Sequence, residues 1–454
     1  MKKKKMKFTT TRIIMLGFLI ALLFGTVLLA LPAASADGKS AGFLDALFVS
    51  TSAVCVTGLS TVVTAEQWSL FGQVVILLLV QFGGLGIVTV MTAMLLVFGK
   101  RVTLSERLLI QEAYNLDTLG GLVRITKKVV KGTLFVEGLG ALFYFFCFVG
   151  EYHAKAVWYA VFHSVSAFCN AGLDLIGDAS FAPYCTNVPV NLVTMALIVV
   201  GGIGFPVWWD VLHKTKLVKK REIPMRRFWG ALSLHTKIVI TMTVGLIVGG
   251  TFLYFIFEYK NPETMGALHP AQKVMVSLFQ SVTTRTAGFQ TVAQEKLTPA
   301  SGFLTLLLMF IGGSPSGTAG GVKTVTIAVI FLSVFSVIRG KNHIEAFGRR
   351  IPGFYLKKAL AVVCVSFACM TAGTLLICMS QGFGVLDSLY EVVSALATVG
   401  LSLGKTAGLN GAGKCIIALC MYLGRIGPIT LALSLQSGQK REVRKLPEGK
   451  VLIG

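Results

Sequence analysis

Four short apolar segments of this chain end in the same way. Each is a hydrophobic stretch of about a dozen residues that closes on a glycine followed by Leu or Phe. Their glycines are 112 to 116 residues apart, in SAVCVTGL at 52–59, SAFCNAGL at 166–173, TTRTAGF at 283–289 and SALATVGL at 394–401. A segment of this length is too short to cross a bilayer, which needs about 20 apolar residues. The pattern predicts four re-entrant half-helices, each followed by a glycine turn.

Longer apolar runs lie on both sides of each short segment, so each copy belongs to a larger repeat. Every repeat reads as a spanning helix, a pore half-helix, a glycine turn and a second spanning helix. The fold class we predict is an all-α polytopic membrane protein, with four M1–pore helix–M2 repeats in a pseudo-fourfold arrangement around one central pore, eight spanning helices and four re-entrant half-helices. The expected helices are 13–31, 43–54 and 70–98; 129–150, 157–169 and 190–212; 235–257, 273–285 and 301–338; and 359–380, 385–397 and 413–435.

The chain divides at its basic loops. We expect repeat 1 at 1–99, repeat 2 with its preceding cytoplasmic loop at 100–213, repeat 3 with its preceding loop and a broken M2 helix at 214–338, repeat 4 with its preceding loop at 339–436, and a basic cytoplasmic tail at 437–454.

The start of the chain resembles a secretory signal peptide, because the apolar run at 13–31 precedes Ala34-Ser35-Ala36. The run is longer than the usual ~7–15 residues. It is also the only candidate for the first spanning helix of repeat 1, so we expect it to be retained.

Composition and charge placement favour a membrane protein. The chain is 54% hydrophobic and 14% charged, with a mean hydropathy of +0.76, whereas soluble domains carry about 25% charged residues. A net charge of +22 would suit nucleic-acid binding, but basic and acidic loops alternate, which is the positive-inside pattern. We therefore expect both termini in the cytoplasm and no nucleic-acid partner. The basic ranges are 2–12, 100–131, 214–237, 339–358 and 440–450.

The glycine turns suggest a cation filter. Four half-helices would aim the negative ends of their dipoles at a common axis. No carboxylate lies in the four turns, so backbone carbonyls would have to replace the water around an ion. The expected ion-binding residues are Val56, Thr57 and Gly58; Asn170, Ala171 and Gly172; Thr286, Ala287 and Gly288; and Thr398, Val399 and Gly400.

A second repeated feature is a glycine pair that follows each filter glycine by 24 to 29 residues. In QFGGLG at 81–86 and VVGGIG at 199–204, we interpret the pair as close helix packing through small residues. The third copy, GGSPSGTAGGVKT at 312–324, has five glycines and a proline and must break the helix. Such a break inside a membrane has to be buried in protein or line a water-filled cavity. Lys323 at that depth indicates an ion pathway.

The fourth copy differs because Arg425 replaces one glycine. It lies 12 residues after Gly413, or roughly 18 Å along a continuous helix. The apolar run continues to Leu435, so we expect Arg425 deep in the membrane. No acidic residue of the same helix can pair with it, and carbonyls of the broken segment are the expected acceptors.

Other motifs in the sequence do not indicate functional sites. GLNGAGKC at 408–415 fits a nucleotide-binding loop only formally, since it follows no strand and lacks the final Ser or Thr. The nine cysteines include no CxxC, and the six histidines no HExxH. A membrane enzyme that uses Lys323, Arg425 and histidines is a remote alternative, because no nucleophile and base are placed together. We expect no enzyme activity, no catalytic residue and no nucleotide site.

The pore signatures, the QFGGLG and GGSPSGTAGGVKT segments and LGRIGP at 423–428 together resemble the Trk/Ktr/HKT superfamily of cation transporters, and most of all its KtrB-type membrane subunits. The resemblance implies a bacterial cell membrane protein that forms a homodimer and works with a cytosolic, nucleotide-binding ring of KtrA-type subunits. It also implies that the broken helix is an intramembrane gating loop with Arg425 as its companion. The implied gate residues are Gly312, Gly313, Ser314, Ser316, Gly317, Thr318, Gly320, Gly321, Lys323 and Arg425.

The transported ion is expected to be potassium. In plant relatives a serine in the first repeat accompanies sodium preference, and this chain has Gly58 there. Only repeat 4, with Thr398-Val399-Gly400, matches the TVG sequence of potassium channels. A sodium or mixed-cation transporter of the same fold is therefore the main alternative, with sodium as a second candidate ion.

Overall fold

The computed structural model describes residues 10–97 and 122–427, and the regular structure in these ranges is almost entirely helical. Repeat 1 contains α1 (Thr10–Leu29), α2 (Phe43–Cys55), the one-turn α3 (Thr64–Gln67), α4 (Leu70–Leu85) and α5 (Ile87–Val97). Repeat 2 contains α6 (Leu122–Tyr152), α7 (Ala156–Cys169), α8 (Val188–Gly202) and α9 (Phe205–Lys219).

Repeat 3 contains the one-turn α10 (Phe228–Ala231), α11 (Leu234–Glu258), α12 (Pro270–Thr283), α13 (Pro299–Phe310) and α14 (Thr324–Ile338). Repeat 4 starts with an antiparallel hairpin of β1 (Ile344–Ala346) and β2 (Arg349–Ile351), in which Ile344 pairs with Ile351. It continues with α15 (Gly353–Gln381), α16 (Val385–Leu396) and α17 (Gly411–Ile426). The predicted tail at 437–454 and the end of the predicted helix at 413–435 lie outside the described residues.

Four uninterrupted helices, α1, α6, α11 and α15, form the first spanning segment of each repeat. They contain 20, 31, 25 and 29 residues, which suffices for a hydrocarbon core of about 30 Å at ~1.5 Å per residue. Large apolar side chains such as Phe24, Phe135 and Phe252 stay exposed on them, as a lipid solvent allows. The prediction of an all-α membrane protein is confirmed.

Four short helices, α2, α7, α12 and α16, occupy the positions of the predicted pore half-helices. They contain 13, 14, 14 and 12 residues, and their C-terminal halves are buried. Each packs against the first spanning helix of its own repeat. The prediction of four re-entrant segments is therefore confirmed.

The repeats close into a ring at the level of whole helices. The second helix of each repeat packs against the pore helix of the next repeat: α4 against α7, α8 against α12, and α13 against α16. The last contact, α17 against α2, returns to repeat 1. This circular order gives the chain its pseudo-fourfold arrangement.

Each second helix begins with a side-chain cap. The side-chain oxygens of four residues accept a hydrogen bond from the backbone N–H three residues ahead, over 2.9 to 3.4 Å. Such a cap satisfies one of the helix's first four free N–H groups and is worth about 1 kcal/mol. The caps are Ser69, Asn187, Thr298 and Asn410. They fix where the chain turns back after the filter.

The predicted continuous second helices at 70–98 and 190–212 are wrong. The chain bends by 103° between α4 and α5 and by 97° between α8 and α9. Gly86 and Gly204, at the bends, have φ of 80° and 89°, a conformation that L side chains rarely adopt. Gly427 ends α17 with φ of 90°. The last glycine of the repeated motif therefore breaks the helix, in addition to the packing role that we assigned to the pair.

In repeat 3 the break is longer. Helix α13 ends at Phe310 and α14 begins at Thr324, so 13 residues, 311–323, separate them. The predicted break at 312–324 matches this segment to within one residue. We call residues 311–323 the repeat-3 loop.

The first glycine of each pair does pack closely, as predicted for the first two copies. A Cβ on Gly83 would overlap the carbonyl oxygen of Val54, and one on Gly201 would overlap that of Phe168. Gly424 meets the carbonyl of Leu396 in the same way. All three carbonyls lie four residues before a filter glycine, so these glycines let the second helices approach the ends of the pore helices.

We therefore expect Gly83→Ala to lower the free energy of unfolding by about 1–3 kcal/mol, because the new methyl group would displace backbone rather than a mobile side chain. The thermal unfolding of detergent-purified protein measures this. Gly138→Ala is the matched control, since its Cβ would meet nothing within 4 Å on the exposed face of α6. Equal losses in the two variants would contradict the packing role.

Candidate ion pathway

The chain makes the same turn after all four pore helices. In each repeat the residue two positions before the filter glycine has a left-handed backbone, and the glycine itself has a positive φ. The left-handed conformation is costly for residues other than glycine, so its fourfold recurrence indicates that the surroundings impose it. The left-handed residues are Val56, Asn170, Thr286 and Thr398, with φ of 54° to 69°, and the glycines are Gly58, Gly172, Gly288 and Gly400, with φ of 66° to 96°.

The four filter glycines form a closed ring. A Cβ on Gly58 would come within 2.6 Å of the carbonyl oxygen of Ala171, which precedes the next filter glycine. The same relation leads from Gly172 to Ala287, from Gly288 to Val399, and from Gly400 back to Thr57. The four turns therefore surround one axis, and each glycine is required by the backbone of the next repeat as well as by its own φ.

A hydroxyl group near the end of each pore helix holds its turn. Ser52 Oγ accepts from the N–H of Gly58 over 3.0 Å, and Ser394 Oγ accepts from the N–H of Gly400 over 3.1 Å. Ser166 and Thr283 instead donate to the carbonyl oxygens of Leu173 and Phe289, each over 2.6 Å. These bonds satisfy backbone groups that neither a helix nor a strand would satisfy.

A cavity of about 680 Å³ opens on one side of the ring, and all four filter glycines line it. Its charged lining residues are Asp174, Asp178 and Glu295, and no Lys or Arg is among the described residues that line it. Burial raises the pKa of Asp174 to about 6, against the opposite effect of bonds from Ser180 and two backbone N–H groups. An acidic cavity of this kind concentrates cations at its base.

The repeat-3 loop lies on the other side of the ring and is fully ordered by hydrogen bonds. Its two ends meet, because Gly312 N–H donates to Val322 O over 3.0 Å and Gly313 N–H donates to Gly320 O over 3.3 Å. Ser314 N–H donates to Gly202 O over 3.0 Å, which joins the loop to the bend of repeat 2. The helix break predicted from the glycines is thus a compact turn.

The tip of the repeat-3 loop touches the filter turns. Thr318 Oγ1 lies 3.1 Å from Phe168 O and 3.0 Å from Asn170 Oδ1. Gly320 lies so close to Thr398 that a Cβ there would overlap Thr398 Oγ1. Asn170 and Thr398 both precede their filter glycines by two residues, so the tip meets the ring opposite the acidic cavity.

Two cationic side chains hold the tip. Arg425 Nη1 donates to Thr318 O over 2.6 Å, and Arg425 Nη2 donates to Gly83 O. Lys323 Nζ donates to Ala319 O over 2.6 Å. Neither cation forms a salt bridge within the described part of the chain. Arg425 lies in the last turn of α17, which ends at Ile426, so its expected place in the middle of a continuous helix is wrong.

Comparisons with known proteins match this architecture. A family model described as TrkH, cation transport protein, matches residues 4–442. The chain belongs to the TrkH family. It is 38% identical to the Ktr system potassium uptake protein B of Bacillus subtilis, over 99% of this chain and 98% of that protein. It is 35% identical to the potassium/sodium uptake protein NtpJ of Enterococcus hirae, over 100% and 99%.

The crystal structure of the potassium transporter TrkH from Vibrio parahaemolyticus has the same fold, with a TM-score of 0.72, 21% identity and coverage of 96% of this chain and 87% of that one. The resemblance inferred from the motifs is confirmed, and this TrkH-family protein is a transporter rather than a membrane enzyme.

Behind the filter, this TrkH-family protein has a supporting pair that the sequence analysis missed. His163 Nε2 accepts from Leu175 N–H over 3.2 Å, which leaves the proton on Nδ1, facing Tyr159 O at 2.6 Å. Glu391 Oε1 accepts from Leu403 N–H over 3.0 Å. Each acceptor lies nine residues before its filter glycine, and each N–H lies three residues after it. The sequence did contain a signal for this pair, because His163 and Glu391 occupy the same position relative to the filter glycine in repeats 2 and 4.

Glu391 also accepts from the hydroxyl groups of Ser402 and Thr406, over 2.7 and 2.6 Å. It is wholly buried. We expect Glu391→Ala to lower the free energy of unfolding by about 2 kcal/mol, because it removes the acceptor of the buried Thr406 hydroxyl and of two partly buried donors, Ser402 and Leu403. Asp387→Ala in the same helix is the control and should cost less than about 1 kcal/mol, since its contact with Lys405 spans 3.8 Å at the surface. Similar melting temperatures for the two variants would refute this role.

Proposed function

We propose that this TrkH-family protein takes up potassium ions across the bacterial cell membrane, as the ion-conducting subunit of a Ktr-type system. The closed ring of four glycine turns is the observation that carries the proposal. Carbonyl oxygens of the twelve filter residues replace the hydration shell of a potassium ion. The relatives named potassium uptake proteins support the choice of ion.

Buried polar atoms near the ring support ion binding there. The hydroxyl groups of Thr57, Thr286 and Thr398 are buried and have no hydrogen-bond partner in the described part of the chain. A buried hydroxyl without a partner is costly. Water or an ion in the filter supplies the missing contact.

The acidic cavity faces the outside in our proposal. Its Asp178 and Glu295 belong to the acidic loops, whereas the basic loops follow the second helices and are cytoplasmic by the positive-inside rule. Both termini are then cytoplasmic. Cations enter through the acidic cavity, lose their water in the filter and meet the repeat-3 loop on the inner side.

The repeat-3 loop is the gate in this scheme. Its tip lies under the filter, and the charges of Arg425 and Lys323 oppose a cation there. At an effective dielectric of about 20 and ~6 Å, one such charge is worth about 3 kcal/mol. The loop contains five glycines, which tolerate backbone angles that other residues avoid, so small shifts can open it without unfolding it.

A homodimer that binds a cytosolic ring of KtrA-type subunits completes the proposal. The names of Ktr system relatives refer to a system of proteins rather than to a single chain. A mixed potassium and sodium pathway is the second candidate. It is favoured by the filter itself, because only repeat 4 has Thr-Val-Gly, and by the potassium/sodium name of one relative.

The test of function is rescue of a potassium-uptake-deficient bacterium at low external potassium, with and without a KtrA-type subunit. We expect rescue by the wild type. Gly58→Ser should weaken it and lower the potassium-to-sodium preference roughly tenfold, or about 1.4 kcal/mol, because the new Cβ displaces the Ala171 carbonyl. Ion-replacement flux in liposomes measures that preference. The lipid-facing Gly138→Ser is the control.

Failure of the expressed wild type to rescue under both conditions would contradict the proposed function. An unchanged ion preference in Gly58→Ser would remove only the filter assignment of repeat 1.

The gate is tested by deleting residues 314–321, which the structure permits because Gly312 and Val322 are already hydrogen-bonded. We expect higher potassium flux, weaker control by the cytosolic partner and an unchanged ion preference. Arg425→Ala removes two charge-assisted hydrogen bonds and should raise flux about tenfold. Flux is measured per mass of folded protein in liposomes. A lower maximal flux in the folded deletion variant would show that the loop helps to conduct ions.

A further inference from the structure

Glu137 is a buried carboxyl group in the first spanning helix of repeat 2, six residues or about 9 Å after Lys131, the last basic residue of the preceding loop, and the conduction scheme does not use it. It lies 15 residues from each end of α6, or about 22 Å along the helix, and is 5% exposed. Ionisable residues at this depth are costly and are functional candidates by default. No salt bridge to it occurs among the described residues.

The partners of Glu137 come from two repeats. Gln81 Nε2, on α4 of repeat 1, donates to Glu137 Oε2 over 3.0 Å. Cys169 Sγ, at the end of pore helix α7, lies 3.8 Å from Glu137 Oε1 and 3.6 Å from Gln81 Oε1. Ser164 Oγ donates to the backbone carbonyl of Glu137 over 2.6 Å. The three side chains of Glu137, Gln81 and Cys169 thus form a polar triangle where α4, α6 and α7 meet.

The triangle lies beside two of the backbone carbonyls that hold the repeat-3 loop, either directly or through Arg425. The carbonyls of Gly201 and Gly202, at the bend of repeat 2, accept from the loop separately. Gln81 is two residues from Gly83, whose carbonyl accepts from Arg425. Cys169 follows Phe168, whose carbonyl accepts from Thr318 Oγ1. One side chain, Glu137, therefore links the contact between repeat 1 and Arg425 to one of the contacts between repeat 2 and the gate.

We propose that Glu137 is a positioning residue for the gate. Its carboxyl group binds Gln81 and meets Cys169, and so fixes the distance between the carbonyls of Gly83 and Phe168. The inference rests on the proposed role of the repeat-3 loop. With the triangle intact, Arg425 binds the carbonyl of Gly83 and Thr318 binds that of Phe168 at the same time, and the loop stays closed. Without it, α4 and the end of α7 move independently, and the loop is held less firmly.

The chemistry of the triangle suggests discriminating variants. Glutamine at position 137 keeps an oxygen for the Gln81 amide and offers N–H groups to the remaining acceptors. Glu137→Leu keeps the volume but removes every side-chain hydrogen bond at this position and leaves the amide of Gln81 unpaired. Gln81→Leu breaks the same bond from the other side. Leu142→Ala is the control, because Leu142 lies on the exposed face of the same helix.

The experiment measures potassium flux in liposomes that contain the purified full chain, with and without residues 314–321. With the loop present, we expect Glu137→Leu and Gln81→Leu each to raise flux about tenfold, and the double variant to raise it no further. Glu137→Gln and Leu142→Ala should stay within about twofold of the wild type. Without the loop, neither the four single variants nor the double variant should change flux.

A purely structural role gives another pattern. A folded Glu137→Leu protein with wild-type flux, or one that raises flux equally without the loop, would overturn the proposal. Should Glu137→Leu fail to fold, Gln81→Leu decides by the same criteria, and Glu137→Gln remains the variant expected to keep wild-type flux. A loop deletion without effect on flux would instead overturn the gate on which the inference rests, and no potassium flux in the wild type would overturn the proposed function.

Discussion

The structure depends on one constraint: irregular backbone placed inside a membrane must find its partners in protein or in a water-filled cavity, because lipid offers no hydrogen bonds. Four filter turns and the repeat-3 loop are such backbone. Hydroxyl groups of the pore helices, the carbonyls at the bend of repeat 2 and the guanidinium of Arg425 supply the bonds. Each of the four M1 helices packs against the pore helix of its own repeat.

The four repeats differ most at the end of their second helices, below the ring of glycine turns. Repeats 1 and 2 bend sharply at a single glycine, whereas repeat 3 inserts thirteen residues at the same place and repeat 4 introduces an arginine. The extra segment reaches under the ring, and the arginine holds it against repeat 1. Equal repeats thus build the ring, and the unequal ones place a loop against it.

The sequence predicts the elements that recur in every repeat, but it does not predict side-chain pairs that form only when two repeats pack together. The pore helices and glycine turns appear as a fixed period, so their existence and order follow from the chain alone. Gly86 and Gly204 also recur, but no bend is predicted there because the apolar pattern runs through them. Gln81 and Glu137 are 56 residues apart, and only the packing of repeat 1 against repeat 2 makes them partners.

The position nine residues before the filter glycine has a different occupant in every repeat: Val49, His163, Phe279 and Glu391. A tetramer of identical subunits could not vary in this way, since one codon change would alter all four quadrants together. Fusion of the repeats into one chain frees each quadrant to mutate alone. Substitutions can then change one quarter of such a pore at a time. Three repeats keep their side chains around the ion site while the fourth gains a different one.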